Sequence, residues 1–343
     1  MGEFELLAKL RERLPAGGSR LELGSGDDAA ITVPGGATAT SVDALVDGVH
    51  FRRGEAGLET IGRKALATAL SDLAAMGAEA GEAYVALGVP GDLGEEDLLA
   101  LLDGMLDLAA ATGTALAGGD LTRAPALTLA VTVVGHAGRA ADLVRRGGAQ
   151  PGDLVVLTGE IGAAAAGRLL LDAGDLAAAV PPPLAADLRA RQLDPSPRLG
   201  SGRALAAAGA RAMIDLSDGL AGDAGHVAKA SGVALRLEAS RLPLAPGVAE
   251  VAAAASRDPL RLAVSGGEDY ELLATLPPEA LEEASAGVEA AGEAALTQIG
   301  EVATGGGVEI RLPGGERLEA EGHDHFAKPS RGSRSAARER RGG

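Results

Sequence analysis

Short apolar segments that run into aspartate or glycine recur along this chain, and helical segments alternate with them. The residue patterns predict strands at Ala37–Val42 and Leu154–Thr158, and helices at Thr60–Met76, Glu95–Thr112 and Ile161–Leu171. Strands and helices interleave in both halves of the chain. The predicted fold is therefore an α/β or α+β protein of two lobes.

The length of 343 residues exceeds one typical domain and predicts two. The polar segment Asp142–Gly152 contains Gly and Pro and is the predicted junction. It separates an N-terminal domain over 1–140 from a C-terminal domain over 150–326. A tail over 327–343, rich in Ser, Gly and Arg, is predicted to be disordered.

Composition excludes several classes of protein. The formal net charge of −17 argues against a nucleic-acid or anionic-membrane binder and suits a protein that collects cations. Aromatic residues make up only 1% of the chain, so the core must consist of Ala, Leu and Val, and base-stacking platforms are nearly ruled out. Cysteine is absent, which excludes disulfides and thiolate metal sites. The acidic segment Met1–Glu5 and the lack of a long apolar run predict a soluble cytoplasmic protein.

The segment Gly24–Asp28 places two adjacent carboxylates on a glycine-rich turn. A bound hard cation would cancel the repulsion between them, whereas the alternative is a solvated Asx-type turn. Similar turns recur, and most of the acids they carry follow an apolar segment. These acids are Asp28, Asp43, Asp72, Asp120, Asp215 and Asp218.

Carboxylates gathered at one end of a sheet, without basic residues near them in the sequence, call for several Mg²⁺ ions. Mg²⁺ is usually held by one or two carboxylates together with phosphate oxygens and water. The pattern therefore predicts phosphoryl transfer from a nucleoside triphosphate. Arg146 and Arg123 are candidates to hold phosphates.

Three other motifs are weaker. Gly24–Ala29 matches a dinucleotide-binding fingerprint but leads into a strand instead of a helix, and Gly57–Lys64 falls short of a Walker A loop. His323 and His325 could ligate a metal or lie in a terminal strand or loop. His50 could be functional or structural.

Taken together and in order, the motifs of this chain resemble those of the thiamine-monophosphate kinases, in the family that includes aminoimidazole ribonucleotide synthetase. The matching stretches are Gly2–Phe4, Gly26–Asp28, Ser41–Asp43, His50–Phe51, Ser71–Ala78, Gly118–Asp120, Ile214–Leu220, Ser265–Leu272 and Gly322–Phe326.

The resemblance implies ATP-dependent phosphorylation of thiamine monophosphate to thiamine diphosphate by direct in-line transfer, the final step in making that cofactor. It also implies a fold similar to aminoimidazole ribonucleotide synthetase. In that fold the N-terminal lobe binds ATP and Mg²⁺ and forms the sheet or barrel of a homodimer, and an α/β C-terminal lobe closes over the site.

The resemblance further implies a role for individual residues. Several Mg²⁺ ions would be held by Asp28, Ser41, Asp43, Asp72, Asp120, Asp215 and Asp218. ATP would contact Gly119, Asp120, Arg146 and Ser217, and thiamine monophosphate would contact His50 and Glu268. No general base is required, because the acceptor phosphate is already an anion at neutral pH.

The chain departs from the family pattern at Glu319–Glu321, where relatives often carry an aromatic residue before the closing motif, and in the basic tail. The nearest alternative is another ATP-dependent enzyme of the superfamily, such as aminoimidazole ribonucleotide synthetase, selenophosphate synthetase or a hydrogenase-maturation factor. The last two usually depend on a cysteine or selenocysteine. From another class, the chain could be a non-catalytic protein that binds divalent cations.

Overall fold

The computed structural model describes residues 9, 12–14, 20–23, 29–312 and 314–318. The predicted ligand Asp28, the segment Glu319–Glu321, the His323–Phe326 motif and the tail over 327–343 lie outside the described residues.

The first lobe is a four-stranded sheet with two long helices on one face. Its elements, with a separate pair of short strands at the start, are β1 (Leu21–Leu23), β2 (Ile31–Thr32), β3 (Ala37–Val46), α1 (Leu58–Ala75), β4 (Glu79–Val89), α2 (Glu95–Thr112), β5 (Ala115–Arg123) and β6 (Thr128–Ala137). The strand order is β3-β6-β4-β5, with β4 and β5 parallel and the other pairs antiparallel. β3 and β5 are therefore the two edges of this sheet.

The helices α1 and α2 cross closely because each has glycine at the crossing point. A Cβ atom added to Gly104 would lie 1.9 Å from the carbonyl oxygen of Glu59, and one added to Gly62 would lie 2.0 Å from that of Leu101. The small residues at these positions let the helix backbones touch, and this fixes α1 against the sheet.

The second lobe is built on a seven-stranded sheet. Its elements are β7 (Leu154–Thr158), α3 (Ala163–Asp172), α4 (Pro182–Leu193), α5 (Leu199–Ala207), β8 (Ala212–Asp215), α6 (Leu220–Ser231), β9 (Ala234–Glu238), α7 (Val248–Ala254), α8 (Pro259–Ser265), β10 (Leu272–Leu276), α9 (Leu281–Ala291), β11 (Leu296–Ala303), β12 (Gly307–Arg311) and β13 (Arg317–Leu318). Its strand order is β13-β12-β9-β11-β7-β10-β8, antiparallel except for β12 with β9.

The two-lobed α/β (α+β) prediction is confirmed. One buried apolar cluster continues from α1 into the second lobe, where Leu66 and Leu70 belong to the same core as Met213 and Leu272. As predicted, the core consists mainly of Ala, Leu and Val. None of the described helices is both long and apolar enough to span a lipid bilayer.

Candidate active site

A cavity of about 1390 Å³ opens between the lobes. The first lobe contributes residues of β3 and α1, and the second contributes residues of the loops after β8 and α8. The cavity is lined by seven of the residues predicted as site residues, namely Asp43, His50, Asp72, Asp215, Ser217, Asp218 and Glu268. The fold thus brings together groups that are up to 225 positions apart in the sequence, the separation of Asp43 and Glu268.

On the first-lobe side, Ser41 and Asp43 are two positions apart on β3, so their side chains lie on the same face of the strand. The Ser41 hydroxyl donates a hydrogen bond to Asp72 Oδ2, near the end of α1. Burial raises the pKa of Asp72 and repulsion from Asp43 raises it further, against the lowering effects of Ser41 and Arg146. The helix dipole adds to this cost, because a carboxylate is disfavoured at the C-terminal end of a helix.

On the second-lobe side, β8 ends in Asp215, which is 4% exposed. Ser71 Oγ donates a hydrogen bond of 2.7 Å to its Oδ2. Burial, followed by repulsion from Asp72, raises the pKa of Asp215 to about 6. The adjacent residues Ser71 and Asp72 of α1 therefore hold the carboxylates of the two lobes next to each other.

A third carboxylate group lies at the start of α6. Potential ligand atoms of Asp218, Asp223 and His226 all lie within 4.8 Å of one another. The backbone N–H of Asp218 donates to Asp223 Oδ2 at 3.0 Å, and burial together with repulsion from Asp215 raises the pKa of Asp223 to about 7. Asp223 and His226 were not predicted from the sequence. Their signal is the spacing of three residues within a helix that begins at Leu220, which puts both on one face.

Arg146 lies in the segment that joins the lobes and is exposed. Its positive charge lowers the pKa of Asp72, Asp215 and Asp223, so the guanidinium stands near all three acids. This position suits the predicted contact with a phosphate.

Gly119 and Asp120 lie on the edge strand β5 and do not line the cavity. The register pairs Asp120 with Ala86, Ala86 with Ala130 and Ala130 with Ala44, so Asp120 shares a face with Ala44. Asp43, the neighbour of Ala44, points to the other face. The other candidate on β5, Arg123, is exposed at the end of that strand.

Gly119 also has a structural reason to be glycine. A Cβ atom there would lie 2.1 Å from the carbonyl oxygen of Val85 on the neighbouring strand.

The two predicted substrate contacts, His50 and Glu268, line the cavity on opposite lobes. His50 Nδ1 accepts a hydrogen bond of 3.0 Å from the backbone N–H of Val46, so a neutral ring carries its proton on Nε2. Glu268 lies in a tight turn with φ of +68°, and its backbone N–H donates to the carbonyl oxygen of Ser217 at 2.9 Å.

An ionic network that was not predicted joins the lobes at the cavity rim. Arg168 of α3 lies 2.6 Å from Glu55, and Arg52 lies 2.7 Å from Asp172. Hydrogen bonds from Arg168 lead the effects that hold the pKa of Glu55 below its usual value. Because the partners are more than 100 positions apart, no local sequence pattern marks this network.

The chemistry of the cavity fits a hard divalent cation. Asp43, Asp72, Asp215 and Asp218 offer carboxylate oxygens and Ser41 offers a hydroxyl, which are the ligand types that Mg²⁺ prefers. Burial is the main cause of the raised pKa values of Asp72 and Asp215, and repulsion adds to it, from Asp43 at Asp72 and from Asp72 at Asp215. A bound cation would offset both costs of holding these acids as carboxylates.

Known proteins match nearly the whole described chain. The family model described as AIR synthase related protein, N-terminal domain, matches residues 26–137, and the one for the C-terminal domain matches residues 150–313. The thiamine-monophosphate kinase of Mycobacterium tuberculosis strain H37Rv is 40% identical over 281 residues, which cover 80% of each chain.

Solved structures give the same result. The thiamine-monophosphate kinase of Stenotrophomonas maltophilia K279a has a TM-score of 0.80 at 37% identity, covering 93% of this chain and 98% of that one. A structure described as AaThiL complexed with AMPPCP and TMP has a TM-score of 0.74 at 28% identity, covering 95% and 97% of the two chains. This chain belongs to the thiamine-monophosphate kinases of the AIR synthase related family.

Proposed function

We propose that this protein transfers the γ-phosphoryl group of ATP to thiamine monophosphate, giving thiamine diphosphate and ADP. The observation that carries the proposal is the cavity in which Asp43, Asp72, Asp215 and Asp218 from both lobes converge, in a chain that belongs to this kinase family. A relative of the same fold was solved with AMPPCP and TMP, an ATP analogue and the phosphate acceptor.

The acceptor needs no strong general base. A phosphate monoester has a second pKa of about 6, so at neutral pH its oxygen is already a nucleophile. That oxygen forms a bond to the γ-phosphorus while the bond to the departing ADP oxygen breaks. The protein's task is to align two polyanions and offset their repulsion.

Mg²⁺ ions are proposed at Ser41, Asp43, Asp72, Asp215 and Asp218, with Asp28 and Asp120 as further ligands. Bound there, they would supply positive charge that offsets the charge of the phosphates. Arg146 and Ser217, which belong to the same chain as this cluster, are proposed to contact ATP. Ser217 lines the cavity, and the positive charge of Arg146 lowers the pKa of Asp215. His50 and Glu268 are proposed to bind thiamine monophosphate, whose positive thiazolium ring suits an acidic cavity.

We also propose a homodimer formed by the N-terminal domain, residues 1–140, with residues 150–326 as the C-terminal domain. Asp43 and Asp120 lie on opposite edges of one sheet, roughly 14 Å apart at three strand spacings. A second copy that set its β5 beside β3 would place Gly119 and Asp120 on the strand next to Ser41 and Asp43, across the interface. Because the reaction consumes ATP, we place it in the cytoplasm.

The proposal is tested by incubating the protein with thiamine monophosphate and Mg-ATP and measuring thiamine diphosphate and ADP. We expect the two products in a one-to-one ratio, and none without Mg²⁺. Free thiamine in place of the monophosphate is the control acceptor. ATP hydrolysis without thiamine diphosphate would refute the assigned acceptor and direct the next assay to aminoimidazole ribonucleotide synthesis.

A further inference from the structure

A lysine of α1 is buried at the junction of the lobes and has no role in the reaction described so far. The Lys64 side chain is 2% exposed. Its Nζ donates a hydrogen bond of 2.8 Å to the carbonyl oxygen of Gln192 and lies 3.3 Å from Glu268 Oε2. An amine is rarely buried this fully without a specific partner, and both of its partners belong to the second lobe.

The two donors at this position converge on a single oxygen of Glu268. Gln192 Nε2 also donates a hydrogen bond to Glu268 Oε2. Among the residues that the structure describes, none donates a hydrogen bond to the other oxygen, Oε1. The side chain is 28% exposed and lines the cavity, so Oε1 is the oxygen left for a ligand.

The backbone of Glu268 makes these contacts necessary. With φ at +68°, the residue occupies the left-handed region that side chains other than glycine seldom adopt, and Tyr270 does the same at +51°. Such a conformation persists only where surrounding contacts hold it. The backbone N–H of Glu268 is tied to Ser217, and the side chain is tied to Lys64 and Gln192.

We infer that Lys64, together with Gln192, is a positioning residue that fixes the Glu268 carboxylate for thiamine monophosphate. This inference rests on the proposed function, in which Glu268 contacts that substrate. Lys64 and Asp72 are eight positions apart on one helix, about 12 Å along its axis. The rigid helix α1 thus sets the distance between the carboxylate that faces the metal cluster and the one that faces the substrate.

A lysine that merely joined the lobes would act differently, and the chain offers a matched control for that role. The preceding residue, Arg63, also bridges from α1 to the second lobe, through a 3.0 Å contact with Asp194. Arg63 does not line the cavity, and its ion pair is with Asp194 instead of Glu268. Removing it should loosen the junction without releasing the substrate carboxylate.

The test measures the KM for thiamine monophosphate and the KM for ATP in Lys64→Met, Glu268→Gln, the double variant and Arg63→Met. We expect Lys64→Met to raise the KM for thiamine monophosphate by about tenfold or more, because a charge-assisted hydrogen bond is lost. The KM for ATP should stay within about twofold. In the Glu268→Gln background the same change should have little further effect, and Arg63→Met should leave both KM values near wild type.

Gln192→Met provides a second variant if Lys64→Met does not fold, and it should raise the same KM alone. Absence of thiamine diphosphate formation by the wild type would refute the proposed function and this inference together. An unchanged KM for thiamine monophosphate in Glu268→Gln would refute the substrate contact of Glu268 and this inference, but not the reaction. If the wild type forms thiamine diphosphate and Glu268→Gln raises the KM for thiamine monophosphate, equal effects of Lys64→Met in the wild-type and Glu268→Gln backgrounds would refute the inference alone. So would a rise in both KM values.

Discussion

Asp215 lies buried at the end of β8, within 2.7 Å of Ser71 Oγ, and shares its surroundings with Asp72. Burial and repulsion raise its pKa to about 6, from an ordinary value of 3.8. Because the folded form holds the proton more tightly than the unfolded chain, this group lowers stability as the pH rises from about 4 to 6. Above about pH 6 the whole cost applies.

The first prediction concerns Asp215→Asn in the metal-free protein. Asn keeps an oxygen that can accept the Ser71 hydrogen bond but removes the charge. We expect the variant to be more stable than wild type by up to about 3 kcal/mol above pH 6, and by about a third of that at pH 4.5. Melting temperatures measured in EDTA at pH 4.5 and 7.5 test this. Because Asp215 is a proposed metal ligand, the variant should also be inactive.

Asp107→Asn is the control for that experiment, because Asp107 is exposed on α2 and forms no ion pair with the described residues. It should shift the melting temperature little at either pH. If Asp215→Asn lowered the melting temperature at pH 7.5, the carboxylate would stabilise the folded protein, and a raised pKa for Asp215 would be refuted.

At the scale of elements, α1 connects the site to the core. Ser71 and Asp72 lie on this helix beside the acids of both lobes, while its glycine at position 62 lets α2 approach closely. The helix holds Ser71 and Asp72 in place only if that crossing is preserved. Stability and site geometry therefore depend on the same contact.

The next prediction is that Gly104→Ala destabilises the protein even though alanine favours helices. The added Cβ would lie 1.9 Å from the Glu59 carbonyl oxygen, so the helices must move apart. Such overpacking costs about 1–3 kcal/mol, against a gain of about 1 kcal/mol in helix propensity. Calorimetry should show a lower melting temperature. The activity assay should show reduced thiamine diphosphate formation.

Gly225→Ala is the matched control, because that glycine of α6 has nothing within 4 Å of an added Cβ. Only the propensity gain remains there, so the melting temperature should rise slightly. Equal effects of the two substitutions would show that the crossing tolerates a methyl group.

Elements with strong local periodicity were predicted closely. The helix at Glu95–Thr112 and the strand at Leu154–Thr158 have the predicted bounds. The strand predicted at Ala37–Val42 instead continues to Val46, because Asp43 stays in register with Val131 of β6. An acid that suggests the end of a strand is tolerated here because its side chain reaches the cavity.

Features held by distant partners could not be predicted. The predicted helix at Ile161–Leu171 begins instead at Ala163, where Asp269 accepts hydrogen bonds from the N–H groups of Gly162 and Ala164. Lys64 looks like a surface residue in a helical pattern, yet its partners are Gln192 and Glu268. The acids could be predicted from the sequence because most of them follow an apolar segment, where a carboxylate is an unusual residue. The residues that hold them in place, such as Lys64 and Gln192, could not be predicted because only the fold brings these distant positions together.

At the scale of the whole molecule, one face of the first sheet is open along β3 in the part of the chain that the structure describes. Helices cover the other face, but this one carries Val42, which is 65% exposed, together with Thr40 and Ala44. Asp120 lies on the same face, at the opposite edge. An apolar sheet face of this kind suits pairing with a second copy.

The last prediction is that Asp43 and Asp120 act in the same site from different chains. Each of the homodimers Asp43→Asn and Asp120→Asn should be inactive. A heterodimer of the two has one site with both acids and one with neither, so it should regain about half of the wild-type rate. Purification through two different tags isolates it from the parents.

Adding Val42→Glu to both chains should abolish the recovery by breaking the dimer, whereas Ala253→Glu, on an exposed part of α7, should not. A heterodimer as inactive as its parents would place both acids of a site in one chain.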